Sequence, residues 1–411
     1  MRDTIGFQAG HQMTEHVRVR RCAVLMIEPR EQLELDLAGL LAGDDALASL
    51  MSCIALAPHL DAEVTIDANE LLALMRIGET PWLARARIDA IISSNLTGRL
   101  LDKGLLIGDG ETHAALRERD EAVRESHWRP LSAVAHYFSR WSDTGVDEDA
   151  RITRHRSIAD LVSEYGLPPP HLVARVPPER RIALPSPHLS ELEAIFRRRV
   201  TCRNFDTSTL LGSGDLGAML HRVFGCHAIV DVIPGACGLK KSYPSGGGLH
   251  PLEAYLLLRR VDGIETGLYH YHAGDHTLEP LTQLAEEEAQ RLARCFVAGQ
   301  GFFADAPVHI ALVARFGRTF WKYRNHPKAY RAIVLEAGHA SQNLYLCATE
   351  AGMGAYVTAA INEIDIERAF GLDSLRESAI AVCGFGARAA AKETMELDPL
   401  GAVWNEDGRR R

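Results

Sequence analysis

Apolar residues recur at helical spacing in several stretches of the chain, each bounded by residues that start or stop a helix. DANELLALMRIG places Asp67 as N-cap and Gly78 as the stop. TPWLARARIDAIIS offers Thr80 as a cap and Pro81 at the first helical position, where a missing N–H costs nothing. NLTGRLLDKGLLIGDG reads as a third helix running into a short hairpin. Three helices and then a hairpin is the order of a winged helix, so the pattern predicts a mainly helical, winged-helix-like domain over residues 1–165. Seven prolines between 166 and 188 forbid a continuous helix or central strand and predict a linker. Beyond it, SELEAIFRRRVTCRNFD opens as a helix and ends in an arginine cluster, and LLGSGDLGAMLHRVFG predicts a helix capped by Ser213 and ended by Gly225. KSYPSGGGLHPLEAYLLL runs from three glycines into a strand, GLYHYHAGDHTLEPL reads as strand, turn and strand, and AYRAIVLEAGHASQNLYLCA reads as a long buried helix.

Composition narrows the class. With 411 residues, 46% hydrophobic and 24% charged, the chain is long enough for two globular domains. A formal net charge of −9 argues against nucleic-acid and anionic-membrane partners, which both demand clustered positive charge. The predicted winged-helix module repeats the message, with five Lys or Arg against six Asp or Glu over residues 67–110; a docking role for peptide or protein suits it better than DNA reading. The first twenty residues lack an apolar signal core, and no run of about 18 apolar residues occurs, which predicts a cytoplasmic protein. The eight cysteines, at 22, 53, 202, 226, 237, 295, 347 and 383, form no CxxC pair and suit reduced thiols.

Three segments invite chemistry. Arg199, Thr201 and Arg203 alternate, so an extended backbone would point two guanidiniums and a hydroxyl the same way, with Phe205 continuing the row; that set can receive a phosphate or an anionic ring edge. Gly212, Gly214 and Gly217 match GxGxxG in form, but NFDTSTLL before them is no hydrophobic strand, so the dinucleotide reading is rejected in favour of a plain helix start. Pro244 and Ser245, followed by Gly246, Gly247 and Gly248, offer exposed backbone N–H groups and room for a flat ligand to approach closely.

Taken with AGHASQNLYLCATEAGMGAYVTAAIN at 337–362 and VCGFGAR at 382–388, these segments resemble the FMN-dependent nitroreductase superfamily, and within it the SagB-type thiazole/oxazole-forming dehydrogenases of peptide maturation. The resemblance covers about residues 190 to 390. It implies an α+β fold, a nitroreductase-like mixed sheet flanked by helices, filling a catalytic domain at 189–395 before a polar tail at 396–411, with homodimers holding FMN at the subunit interface. Carried over by position, Arg199, Thr201 and Arg203 would contact the flavin phosphate and pyrimidine edge, Pro244, Ser245, Gly246 and Gly247 would lie against the isoalloxazine, Gly352 and Gly354 would pack near the ring, and Arg388 would be a second phosphate ligand. Hydride arriving at the flavin leaves negative charge on that edge, which a cation such as Arg203 can meet. Family members often carry Ala or Asn among these glycines and an aromatic before the proline, where this chain has Gly248 and His250.

Lys322 and Tyr323, in RTFWKYRNHPKAY, match the Lys-Tyr motif of the peptide-maturing branch. Making an azole from an azoline removes a ring proton and a hydride. A phenol, titrating near 10, becomes a base for that proton when an adjacent ammonium favours phenolate. His270, His272 and His276 lack a carboxylate or thiolate to complete a set, so no metal is assigned. Glu336, His339, Gln342 and Asn343 are placed on a helix at the subunit or flavin interface and given no chemistry. The resemblance thus implies an azoline dehydrogenase acting on a modified precursor peptide, with a cyclodehydratase as a further partner. The alternatives are an NAD(P)H-dependent nitro or quinone reductase, which would need neither Lys322 nor Tyr323, and a flavin-free scaffold in a maturation complex.

Overall fold

The computed structural model describes residues 17–35, 41, 47–146, 158–186 and 188–411; the expectations for residues 1–16, parts of 36–46, residues 147–157 and Pro187 of the linker lie outside the described residues. The chain divides into two compact units, residues 1–139 with Arg324–Pro327, and Arg140–Tyr323 with 328–411.

In the first unit the elements are β1 (Arg18–Arg21), β2 (Met26–Leu35), β3 (Leu47–Leu56), β4 (Val64–Ile66), α1 (Ala68–Leu74), β5 (Leu83–Ala84), α2 (Arg85–Ile92), α3 (Ser94–Asp102), β6 (Leu106–Gly108), α4 (Ala114–Glu125) and α5 (Pro130–Tyr137). Asp67 caps α1 as expected: its carboxylate accepts the Glu70 N–H at 2.8 Å while Glu70 accepts the Asp67 N–H at 2.9 Å. Two expectations change. The second helix begins at Arg85, not at Pro81, because Leu83 and Ala84 pair with Val19 and Arg18 as a strand. The hairpin expected after α3 is a single strand, β6, which pairs with β1. The unit is therefore mixed, with helices beside the sheets β5-β1-β6 and β2-β3-β4, and its core gathers Val19, Ile88, Leu100 and Leu106. Pro29 sits in β2, an edge strand, where its missing N–H breaks no ladder.

The second unit holds α6 (Ile158–Tyr165), α7 (Glu191–Arg198), α8 (Ser213–Phe224), β7 (Ala228–Ile233), β8 (Ala236–Lys240), β9 (Leu252–Leu258), β10 (Gly267–His272), β11 (Thr277–Gln283), α9 (Glu286–Phe296), α10 (Gly301–Ala304), β12 (Val308–Arg315), α11 (Phe316–Phe320), α12 (Ala329–Glu350), β13 (Gly354–Thr358), α13 (Glu363–Phe370) and β14 (Glu377–Gly386). Six strands form one sheet in the order β11-β10-β9-β12-β14-β13. The mixed sheet implied by the resemblance is antiparallel in each of these ladders, and a parallel member joins where Thr201 bridges Ala355 at the β13 edge. β12 is buried over seven of its eight residues, as a central strand covered on both faces should be. The long helix α12 packs on β9, β13 and β14. Helix α8 begins at Ser213, but Gly212 is the cap residue and no side chain caps it. No described helix is long and apolar enough to cross a membrane.

Candidate functional site

The glycine segment lies between β8 and β9, and one face of α12 fixes its shape. Glu336, His339 and Asn343, at helical spacing i, i+3 and i+7, each reach it. The Ser245 hydroxyl donates to Glu336 Oε2 at 2.5 Å, His339 Nδ1 lies 3.3 Å from the Pro244 carbonyl, and Asn343 donates to Ser242 Oγ at 3.1 Å. Ser245 Oγ also accepts the His250 N–H at 2.8 Å, closing the turn on itself. Inside it Gly247 and Gly248 take φ of 71° and 69°, and His250 follows at 45°. Behind the turn, the buried Tyr243 hydroxyl has no hydrogen-bond partner among the described residues, and His250 Nδ1 and Glu336 Oε1, also without one, lie 3.7 Å apart. Burial pushes the Tyr243 phenol well up and holds the Lys241 ammonium below its usual range.

The neighbour that forbids a side chain at Gly247 is the Lys-Tyr pair. A Cβ there would stand 2.7 Å from Tyr323 Oη and 3.0 Å from Lys322 Nζ. At Gly246 a Cβ would meet the Ala332 methyl at 3.2 Å. Lys322 and Tyr323 follow α11, with both backbone N–H groups donating to the Thr319 carbonyl, and Arg318 Nε donates to Leu249 O at 2.8 Å, tying α11 to the glycine turn. Lys322 Nζ lies 5.5 Å from the centroid of the Tyr323 ring. Pro244, Ser245, Gly246, Gly247, Lys322 and Tyr323 thus form one cluster. Glu336, His339 and Asn343, which the sequence placed at an interface without chemistry, and Arg318, which it did not single out, complete it.

The arginine segment divides. Thr201 Oγ1 and Tyr345 Oη are 3.0 Å apart, and the Arg199 guanidinium lies 5.3 Å over the Tyr345 ring. Tyr345 is nine residues beyond Glu336 on α12, about 14 Å along the axis at 1.5 Å per residue. Glu396 takes the Arg203 N–H at 2.6 Å and both the backbone and side-chain amides of Asn204, and the Arg203 guanidinium lies over Phe302 and Phe303 at 5.6 and 5.9 Å. Arg388 is buried, with Nη1 on Glu396 at 2.8 Å and Nη2 on the Val200 carbonyl at 2.7 Å. Two of its donors thus have partners inside the protein. Gly354 has an internal reason to lack a side chain, since a Cβ would meet Cys202 Sγ at 2.5 Å. Gly352, at φ 70°, gives its carbonyl to Arg410 at 2.9 Å. The hairpin histidines pair separately: His270 with Glu279 at 2.6 Å, His276 with the Tyr271 hydroxyl at 2.8 Å.

The nitroreductase family model matches residues 196–387. MJ1384 of Methanocaldococcus jannaschii, named for the nitroreductases, is 31% identical over 185 residues, 45% of this chain and 86% of that protein. The chain belongs to the nitroreductase family. Within the family it is also similar to two peptide-processing proteins. The trifolitoxin-processing protein TfxB of Rhizobium leguminosarum bv. trifolii is 32% identical over 150 residues, 35% of this chain and 38% of TfxB. The microcin B17-processing protein McbC of Escherichia coli is 30% identical over 159 residues, 37% of this chain and 56% of McbC. The chain spans about half or less of the length of these two relatives.

Proposed function

We propose that this nitroreductase-family chain is an FMN-dependent dehydrogenase that oxidises azolines to azoles in a ribosomally made precursor peptide. The observation that carries the reading is the meeting of Lys322 and Tyr323 with the side-chain-free turn at Gly247. The residues present fit FMN at two places: the turn at Gly248, where a Cβ would meet nothing within 4 Å, and the cation and hydroxyl of Arg199 and Thr201 on Tyr345, which suit a phosphate. Bound FMN would supply the hydride acceptor. Tyr323 is the base for the ring C–H proton, with Lys322 beside it. Glu336 and Arg318 are positioning residues that fix the turn against which Tyr323 stands. Arg388, whose guanidinium is engaged by Glu396, is assigned a lesser role than the resemblance gives it.

The similarity to TfxB and McbC favours a peptide substrate, with a cyclodehydratase as the partner that would form the azoline, and the family supports a homodimer. The similarity to MJ1384 favours a second reading, an NAD(P)H-dependent reductase of nitro compounds or quinones. One experiment separates them. Purified protein should carry or take up FMN and remove two mass units per heterocycle from an azoline peptide. Tyr323→Phe, which removes one oxygen, should lower that rate about a hundredfold while leaving flavin absorbance unchanged. Full activity in Tyr323→Phe, with faster NAD(P)H oxidation on simple quinones, would replace the first reading with the second.

A further inference from the structure

We propose that His250 is a positioning residue whose proton holds the glycine turn: the charged imidazole pairs with Glu336, and Glu336 fixes the turn through Ser245. Glu336 is 2% exposed, and a carboxylate that deep needs a counter-charge. Its Oε2 takes the Ser245 hydroxyl, while Oε1 has no hydrogen-bond partner among the described residues. His250 Nδ1, equally without one, stands 3.7 Å from Oε1. That is beyond a hydrogen bond but close enough for an ion pair once the ring carries a proton.

The other charged and titratable groups around His250 do not supply the counter-charge. Lys241, before the turn, directs its ammonium to the Leu252 carbonyl at 3.4 Å, and among the described residues no ion pair joins it to Glu336. Glu253 on β9 pairs with Arg315 at 2.9 Å, and Arg318 on α11 donates to the carbonyls of Leu249 and Cys237. Tyr243 meets the imidazole edge to face, with ring centroids 5.6 Å apart, and stays neutral because burial pushes its phenol well up. His250 reaches the turn at two points. Its backbone N–H donates to Ser245 Oγ at 2.8 Å, and its ring faces the carboxylate that takes the Ser245 hydroxyl. Ser245 in turn leads into Gly247, which stands against Tyr323 Oη and Lys322 Nζ. Loss of the ring proton leaves Glu336 buried beside a neutral partner and loosens the segment. The hold is therefore complete on the acid side of the imidazole titration and is lost as pH rises through it. Related chains often carry an aromatic at this position, which could pack on Tyr243 but could not carry the charge.

The consequence for dehydrogenation rests on the function proposed above; the hold itself does not, so the two are measured separately. In the full chain, amide hydrogen exchange of the turn, corrected for intrinsic rates, is followed from about pH 5.5 to pH 8 in the wild type, His250→Asn and Glu336→Gln. Asparagine accepts the left-handed backbone at φ 45°, so His250→Asn removes the ring without adding strain, and Glu336→Gln keeps the test valid if that variant is unstable. Protection of the wild-type turn should fall about tenfold over that range, while both variants, less protected at the acid end, should change by less than about twofold. The kcat for azoline oxidation in His250→Asn should be about a tenth of the wild-type value at the acid end and approach it at the alkaline end, with KM within a few-fold. A wild-type profile that persists in either variant, or a loss in His250→Asn that is equal at both ends, would reduce His250 to packing and overturn the proposal while leaving the dehydrogenase reading standing. A proton-dependent turn in a protein that oxidises no azoline would support the hold and overturn the reading of its site instead.

Discussion

An alanine at Gly247 would face two penalties at once: a φ of 71°, costing about 1–2 kcal/mol for a residue with a Cβ, and a methyl 2.7 Å from Tyr323 Oη. Gly248 shares the strain, at φ 69°, but a Cβ there meets nothing within 4 Å. The pair therefore separates backbone strain from interference with the site. Both Gly247→Ala and Gly248→Ala should lower the melting temperature by a few degrees, Gly247→Ala by at least as much as Gly248→Ala, whereas only Gly247→Ala should cut dehydrogenation, by roughly tenfold or more, as Tyr323 is displaced. Equal activity in the two variants would detach Gly247 from the chemistry. The three glycines announced a close approach in the sequence itself, because a side chain is rarely forbidden three times running without cause. The identity of the intruder was less legible, since Lys322 and Tyr323 lie some 75 positions away in the chain. Glu336, His339 and Asn343 were harder still. Their spacing is a helical stripe, yet nothing local to α12 says which loop the stripe will face.

At the scale of elements, local signals located what local forces decide. The capping box at Asp67 and the glycine after α8 could be read directly, because the partners stand within one turn. The start of α2 was misread for the opposite reason: pairing of Leu83 and Ala84 with a strand 65 positions earlier outweighs a helix-start signal at Thr80 and Pro81. The segment from Arg140 to Val146 had no pattern at all, yet it is bound to the start of α13. Trp141 N–H donates to Glu363 at 2.9 Å, Asp143 N–H to Asp365 at 2.8 Å and Thr144 N–H to Asn362 at 3.0 Å, while Arg140 pairs with Glu367 at 2.7 Å. Burial pushes the Glu363 carboxyl up to about 7. A carboxyl raised in the folded state stabilises fully below its unfolded value, near 4.5, and that contribution is lost as pH rises through about 7. Melting curves at pH 5.5 and pH 8 should therefore show the attachment weaker at the higher pH. Glu363→Gln, neutral throughout, should reduce that difference by about 1 kcal/mol, or some 3 °C. An unchanged pH dependence in Glu363→Gln would assign the effect to other groups.

For the whole molecule, the informative fact is where the boundary between units falls. Lys322 and Tyr323 belong to the second unit, but the next four residues, Arg324 to Pro327, belong to the first, where Asn325 N–H donates to the His127 carbonyl at 2.9 Å. The sequence suggested a boundary at a proline-rich linker, because prolines are visible locally and a hydrogen bond spanning 198 positions is not. The division has a consequence for deletion of residues 1–139. The glycine turn, Arg199, Thr201 and Tyr345 all lie in the second unit, so the truncated protein should take up FMN with affinity within a few-fold of the full chain. Its dehydrogenase rate should nevertheless fall about tenfold or more on a saturating peptide, since the anchor of Asn325 is removed two residues from Tyr323. Peptide affinity should fall as well if the first unit docks the substrate. Flavin titration, turnover at saturation and peptide affinity, measured on the same truncated protein, keep the three effects apart. Turnover that persists at saturation with only affinity lost would reduce the first unit to a docking module. Loss of FMN would instead make it part of the catalytic fold.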